Sequence, residues 1–266
     1  GFNYQYSSPV FLLIGPEDAA KTQLVNEVGL SSQLGQTVTG NPCNWSIFDR
    51  ATVVDVREEV LLGTDRGGRT NKAWKELIKL FQKFRPRRPL DGLILAIPAE
   101  TFADETHASV ERLQAMAEAI HRSIGELQTR LGMALPIYLV ITKSESLPGF
   151  TQATALLSDE HLSEAFGWAS PYPTGAAYSN EWCIEAINDL VPRIQDAVNE
   201  CLALISVKEQ SFNDAILLPT AIERLRANLD IFLGSVLRVS NFNKSAALRG
   251  IFFTGGHPRN QLFSHD

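Results

Sequence analysis

The sequence predicts an α/β protein whose mostly parallel sheet is flanked by helices. Three observations predict it. Short apolar runs at Val10–Ile14, Gly92–Pro98 and residues 135–143 have the length and composition of buried strands. The stretches between them show helical spacing, above all the stripe Val110, Leu113, Ala117, Ile120, Ile124, Leu127 and Leu131. Near the N-terminus, PVFLLIGPEDAAKTQL runs as strand, Gly-led loop, Lys-Thr and helix. Strands alternating with helical patterns are the signature of βαβ units and a parallel sheet.

That N-terminal stretch organises the rest. Strand, loop, Lys-Thr and helix is the layout of a phosphate-binding P-loop. In it, loop N–H groups and the helix start present positive charge to an anion. Lys21 would neutralise terminal phosphates, and the Thr22 hydroxyl would ligate Mg²⁺. The pattern wants Gly before Lys-Thr, where this chain has Ala20, whose methyl would stand at the phosphate. Glu17 and Asp18 bring two carboxylates to the same loop. A like-charge contact at ~4 Å would cost about 4 kcal/mol at an effective dielectric of ~20, and far less if both point to solvent. The pattern alone fits a simple strand–turn–helix as well as a P-loop descendant.

Beyond the first helix, residues 31–42 are polar and Gly-rich and read as a loop. Residues 45–48 and 51–56 read as a hairpin that puts an antiparallel strand at the edge of the sheet. Asp55 ends an apolar strand, where an aspartate could hold Mg²⁺ through water. The D-x-x-G pattern that would follow is broken, because Glu58 replaces the Gly whose N–H meets a γ-phosphate, and it would bring a third negative charge to the site. Trp74, Leu77, Ile78, Phe81 and Phe84 share a helical face, which ends at the basic cluster Arg85, Arg87 and Arg88. This cluster reads as exposed charge at a helix C-terminus. His107 and His121 read as surface histidines without ligand spacing.

The strand at 136–142 ends in Thr142-Lys143-Ser144-Glu145, close to the guanine-reading [NT]-K-x-D pattern. Glu145 moves the carboxylate by one methylene and spoils bidentate geometry. Residues 150–179 are mixed. Residues 184–205 are helical, with Pro192 expected to kink or restart the helix. Pro219 opens a helix whose stripe runs through Ile222, Leu225, Leu229 and Val236. A final strand at 248–254, ended by Gly255-Gly256 and containing Ile251-Phe252-Phe253, is too apolar to stay exposed and is expected to pack back on the domain.

Composition sets the outer bounds. The chain has 266 residues, 44% hydrophobic and 20% charged, as in a soluble globular protein. A net charge of −6 and a pI of about 5.5 argue against nucleic-acid partners. Cys43, Cys183 and Cys201 lack disulfide or metal spacing and read as small hydrophobes in a reducing compartment. No apolar run approaches ~20 residues, and no signal-peptide pattern opens the chain. The abrupt start at Gly1-Phe2 suggests a piece of something longer.

The order of elements resembles a Ras-like GTPase domain. Further stretches narrow the resemblance: Cys43-Asn44-Trp45, Trp74, the run from Phe84 to Gly92, Gly149-Phe150, Phe166-Gly167-Trp168 and the run from Leu248 to Gly256. Together they are similar to the cytoplasmic domain of the IcmF/TssM family, inner-membrane components of the type VI secretion machine. The resemblance covers nearly the whole chain. It implies a P-loop domain at residues 1–180 and a helical extension at 181–266 whose final strand packs on the same domain. It also implies a place at the cytoplasmic face of the bacterial inner membrane, within a membrane-anchored parent protein. TssL, TssK, TssG and TssA are the partners it implies.

A nucleotide site in such a fold would use Gly15, Lys21, Thr22, Asp55, Thr142 and Lys143, with Thr22 and Asp55 on Mg²⁺. Ala20, Glu58 and Glu145 depart from the family pattern at nucleotide-contacting positions. The expectation is therefore a vestigial site, with no cofactor and no catalytic residue, in a scaffold that docks other secretion subunits. The alternative is a GTP- or ATP-binding switch that hydrolyses nucleotide. Lys21 without nucleotide needs another partner, with Glu17, Asp18 and Asp55 as candidates. Lys21→Ala is expected to leave secretion intact, and charge reversal at Arg85, Arg87 and Arg88 to weaken assembly.

Overall fold

The computed structural model describes residue 6 and residues 8–27, 36–38, 43–61, 72–156, 166–204, 210–239 and 246–256. The first strand, β1 (Val10–Ile14), leads into α1 (Lys21–Glu27). Three strands follow: β2 (Gln36–Val38), β3 (Cys43–Ile47) and β4 (Thr52–Val56). A single turn, α2 (Glu58–Leu61), precedes α3 (Lys72–Phe84). Then come β5 (Gly92–Pro98), α4 (Ala99–Ala103), the long α5 (His107–Leu131) and β6 (Pro136–Thr142). The remainder holds α6 (Phe150–Leu156), β7 (Gly167–Ala169), α7 (Glu181–Leu204), α8 (Leu218–Arg224), α9 (Arg226–Val236) and β8 (Ala247–Phe253).

Among the described residues the strands form one sheet, ordered β2-β3-β4-β1-β5-β6-β8-β7. The run β4-β1-β5-β6-β8 is parallel throughout. Its strands are apolar on both faces, as a doubly covered parallel sheet requires. Antiparallel pairs close the two edges, β2-β3-β4 at one end and β8-β7 at the other. The chain is thus the α/β protein, mostly parallel and flanked by helices, that the sequence predicts. The final strand lies inside the sheet, between β6 and β7.

Several expectations need correction. The antiparallel strand at 45–48 runs from Cys43 to Ile47 and is not the edge, because β2 pairs outside it. β2 falls in the stretch read as loop: three residues are too few to show alternation. The helix containing Pro192 continues from Glu181 to Leu204. The helix therefore does not restart at the proline, and Leu190, Ile194 and Val198 are buried on either side of it. The stripe after Pro219 belongs to two helices, broken at the fully buried Leu225.

Two burial expectations also change. Arg85 is buried rather than exposed, with Nη1 2.8 Å from Asp91 Oδ2. That same oxygen accepts the Val10 N–H at 2.7 Å, and Arg88 reaches the other at 2.6 Å. Arg85 therefore ties the start of β1 to the α3–β5 turn, and only Arg87 and Arg88 of the cluster are exposed. His121 is buried as well, its Nδ1 2.9 Å from the Val236 carbonyl at the end of α9.

The core lies mainly on one face of the sheet. Helices α3, α5, α7 and α9 contribute Trp74, Ile120, Ile187 and Phe232 to one buried cluster, which also takes Leu12 and Ile14 of β1. The intervening Leu13 points to the other face and packs with Ala19, Val25, Val53 and Ala96. Alternation along one strand thus splits the interior in two. The smaller cluster seats the loop between β1 and α1.

Candidate functional site

The loop from Gly15 to Ala20 stands where β1 ends, beside the ends of β4 and β5. Gly15 has to be glycine: a Cβ there would sit 2.0 Å from the Ala96 carbonyl oxygen of β5. Pro16 and Ala19 close a turn, with the Ala19 N–H donating to the Pro16 carbonyl at 3.1 Å. Ala20 then adopts φ +49°, left-handed backbone that Gly visits freely. An L-residue pays about 1–2 kcal/mol for that conformation. At the position where a phosphate loop carries Gly, this left-handed conformation is thus held by an Ala.

Lys21 opens α1 and turns inward, only 7% exposed. Its Nζ donates to the Gly15 carbonyl at 3.0 Å and to the Val56 carbonyl at 2.8 Å. It also lies 3.3 Å from Asp55 Oδ1, an ion pair between two largely buried groups. An ammonium has three donors, and here each faces an oxygen of the protein itself. Burial pushes the Asp55 carboxyl above its ordinary range, against the pull of the Lys21 charge. The expected pairing of Lys21 with an acid is present, and the acid is Asp55.

Glu58 completes the arrangement. Its Oε2 accepts the Glu17 backbone N–H at 2.7 Å, so the glutamate at the broken D-x-x-G pattern supplies an anion to the loop. Glu17 and Asp18 themselves are exposed, and their side chains do not crowd the loop interior. Thr22, the expected Mg²⁺ ligand, is exposed on the first turn of α1.

Thr142 and Lys143 stand across from Ala20. They line a shallow depression together with Leu24, Glu145 and residues 254–256, enclosing about 210 Å³ of empty space that includes open solvent. Lys143 is left-handed at φ +52°. The Ser144 N–H donates to the Thr254 carbonyl at 3.0 Å, which joins the turn after β6 to the end of β8. Glu145 Oε2 accepts the Gly256 N–H at 3.0 Å, so the carboxylate expected to meet a base is turned onto the chain. Thr142 Oγ1 is buried and has no hydrogen-bond partner among the described residues.

The structure thus brings Gly15, Lys21 and Asp55 into direct contact, and sets Thr142 and Lys143 across the depression from Ala20. Three features of this arrangement oppose a magnesium-bound nucleotide. The ammonium is engaged by two carbonyls and a carboxylate, a methyl occupies the glycine position, and Glu58 holds a loop N–H. Among the described residues no group of three or more His, Cys, Asp or Glu side chains could hold a metal ion.

Comparison with known proteins bears on this fold and site together. Residues 68–265 match the IcmF-related N-terminal domain. The chain belongs to that family. It is also 27% identical over 271 residues to the type VI secretion system component TssM1 of Pseudomonas aeruginosa, a match covering 94% of this chain. The chain spans only 23% of that relative's length. Similar solved structures include a small COPII coat GTPase of Encephalitozoon cuniculi in complex with GDP, at 13% identity and a TM-score of 0.35. That similarity covers 85% of this chain and 82% of the GTPase chain. Another is a signal recognition particle receptor complex from Chaetomium thermophilum, at 18% identity and a TM-score of 0.29, covering 52% of this chain and 70% of that one. No helix among the described residues of this IcmF-related domain is long and apolar enough to cross a membrane.

Sequence reasoning missed two features of the site. Glu58 reads in sequence as an added repulsive charge, whereas it hydrogen-bonds the loop backbone. Gly255 and Gly256 read as the end of a strand, whereas they wall the depression. The signal for the second was present, since a Cβ at Gly255 would fall 2.6 Å from Glu145 Oε2. It becomes legible only once β8 is known to run beside β6.

Proposed function

We propose that this IcmF-related domain is a docking module of a type VI secretion membrane complex, with a nucleotide site filled by its own side chains. The observation that carries the reading is Lys21, whose three donors face Gly15 O, Val56 O and Asp55 Oδ1. An incoming phosphate would have to win the ammonium from partners already in place, and charge-assisted hydrogen bonds of this kind are worth about 1.5–3 kcal/mol each. Glu58 would have to leave the Glu17 N–H as well. With the Glu58 carboxylate on the loop and the Lys21 ammonium engaged by the protein, the groups that would meet the charge developing in hydrolysis are opposed or occupied.

The domain then acts by shape. Its place is the cytoplasmic face of the inner membrane, as part of a longer membrane-anchored protein, and its partners are other membrane-complex and baseplate subunits, with TssL, TssK, TssG and TssA as the expected set. The test is calorimetric titration of the purified domain with Mg-GTP and Mg-ATP, beside an Ala20→Gly/Glu58→Gly double variant. Absence of saturation for the wild-type protein at millimolar nucleotide supports the docking reading. Saturable micromolar binding with a Mg²⁺ requirement replaces it with the nucleotide switch.

A further inference from the structure

Two helices at opposite ends of the helical layer carry stripes of opposite charge. The buried face of α3 holds Trp74, Leu77, Ile78 and Phe81. Its outer face places Lys72, Lys75, Lys79 and Lys83 at steps of three and four, on one side of the helix. Arg87 and Arg88 continue this surface beyond the C-terminus. Glu76 is the one acid in the stripe, paired with Lys79 at 2.8 Å. Gln82, on one flank of α3, donates to the Arg130 carbonyl of α5. The opposite flank leaves Leu80 43% and Phe84 60% exposed.

On α7, Glu181, Glu185, Asp189, Asp196 and Glu200 recur at helical spacing on the exposed face, opposite the buried Cys183, Ile187, Leu190 and Ile194. Arg193 is the one cation on this helix, 3.3 Å from Asp189, and Arg226 of α9 reaches the neighbouring Asn188 at 2.8 Å. Ile184, 44% exposed, lies beside this stripe. The basic stripe runs over twelve residues, about 16 Å, and the acidic one over twenty, about 28 Å. In the helical layer α3 packs on α5, α5 on α9 and α9 on α7, so the two stripes face outward at opposite ends.

We infer that α3 of one copy of this chain docks on α7 of the next. The contact is heterologous, since different surfaces meet, and it therefore propagates into a ring or an open filament. Charge complementarity selects the second copy: a basic surface on a protein of net charge −6 finds a row of carboxylates on one face of α7 of the same fold. Leu80 and Phe84 would supply apolar contact beside the charges. The inference is independent of whether the nucleotide site is active.

The experiment is sedimentation velocity of the whole 266-residue chain at 50 and 500 mM NaCl, with urea unfolding midpoints checking that each variant is folded. The wild-type protein is expected to self-associate, about tenfold more tightly at the lower salt. Lys72→Glu/Lys79→Glu/Lys83→Glu should leave a monomer, and so should Glu181→Lys/Asp196→Lys/Glu200→Lys. Mixing the two folded variants should restore association, because each then carries the stripe that the other lacks. A wild-type monomer at both salts overturns the inference, as does a mixture that fails to associate. Wild-type protein that stays monomeric yet sediments with phosphatidylglycerol vesicles through Lys72, Lys79 and Lys83 would assign α3 to a lipid surface instead.

Discussion

Replacing Lys21 by Met tests whether this residue has become a structural element. The substitution keeps most of the aliphatic stem and removes the ammonium. It deletes hydrogen bonds of 3.0 Å and 2.8 Å to the Gly15 and Val56 carbonyls and the 3.3 Å ion pair with Asp55. Charged hydrogen bonds contribute about 1.5–3 kcal/mol each, and losing one partner of a buried pair costs about 3–5 kcal/mol. These costs overlap, because Asp55 can neutralise by protonation, and a net loss of about 3 kcal/mol is expected. At roughly 2–4 °C per kcal/mol for a chain of this size, the midpoint should fall by about 6–12 °C. Urea unfolding reads the free-energy loss and thermal unfolding the midpoint shift, both followed by far-UV circular dichroism without nucleotide. A loss below about 1 kcal/mol would refute the reasoning and return Lys21 to a free, ligand-ready role. The same geometry revises the expectation for Lys21→Ala in cells. A secretion defect there is informative only when the variant's folded fraction is measured beside it.

Four other outcomes follow from the coordinates. Ala20→Gly should relieve the left-handed backbone at φ +49°; about 1–2 kcal/mol of strain less about 0.5–1 kcal/mol of unfolded-state entropy leaves a gain of about 0.5–1 kcal/mol in chemical unfolding. Gly15→Ala should destabilise by more than about 3 kcal/mol in the same assay, because its Cβ would meet the Ala96 oxygen at 2.0 Å. Arg85→Ala should cost about 3–5 kcal/mol by breaking a buried pair, while Arg88→Ala, at a side chain 62% exposed, should cost less than about 1 kcal/mol. Asp55 has a folded pKa raised by burial, so its contribution is present below the unfolded value of about 3.9 and is lost as pH rises through the folded one. The stability of Asp55→Asn relative to wild type should therefore climb as unfolding is measured from pH 4 upward; a difference that shrinks with pH would show that the Lys21 charge dominates instead.

The parallel strands were legible because they are apolar runs bounded by Gly, Pro and acids, and such runs need cover on both faces. The long helix α5 was legible from its stripe. β2 and β7 were not, since three-residue strands take their pairing from a neighbour rather than from alternation. The site was half legible. Gly15, Lys21 and Asp55 declare themselves by spacing, but burial decides their roles. Arg85 shows the same limit: in sequence it is one of a basic cluster, and only the fold reveals Asp91 and the Val10 N–H behind it. Glu58 was misread in sign, because a carboxylate near a loop of N–H groups repels a ligand phosphate and also substitutes for one.

The central claim is that the protein's own groups fill the phosphate site. Calorimetry with Mg-GTP and Mg-ATP on the wild-type domain tests it most directly. The account predicts no saturation up to about 1 mM, that is, binding weaker than about −4 kcal/mol. A Kd below about 10 μM that is lost in Lys21→Met, with that variant still folded, would contradict it.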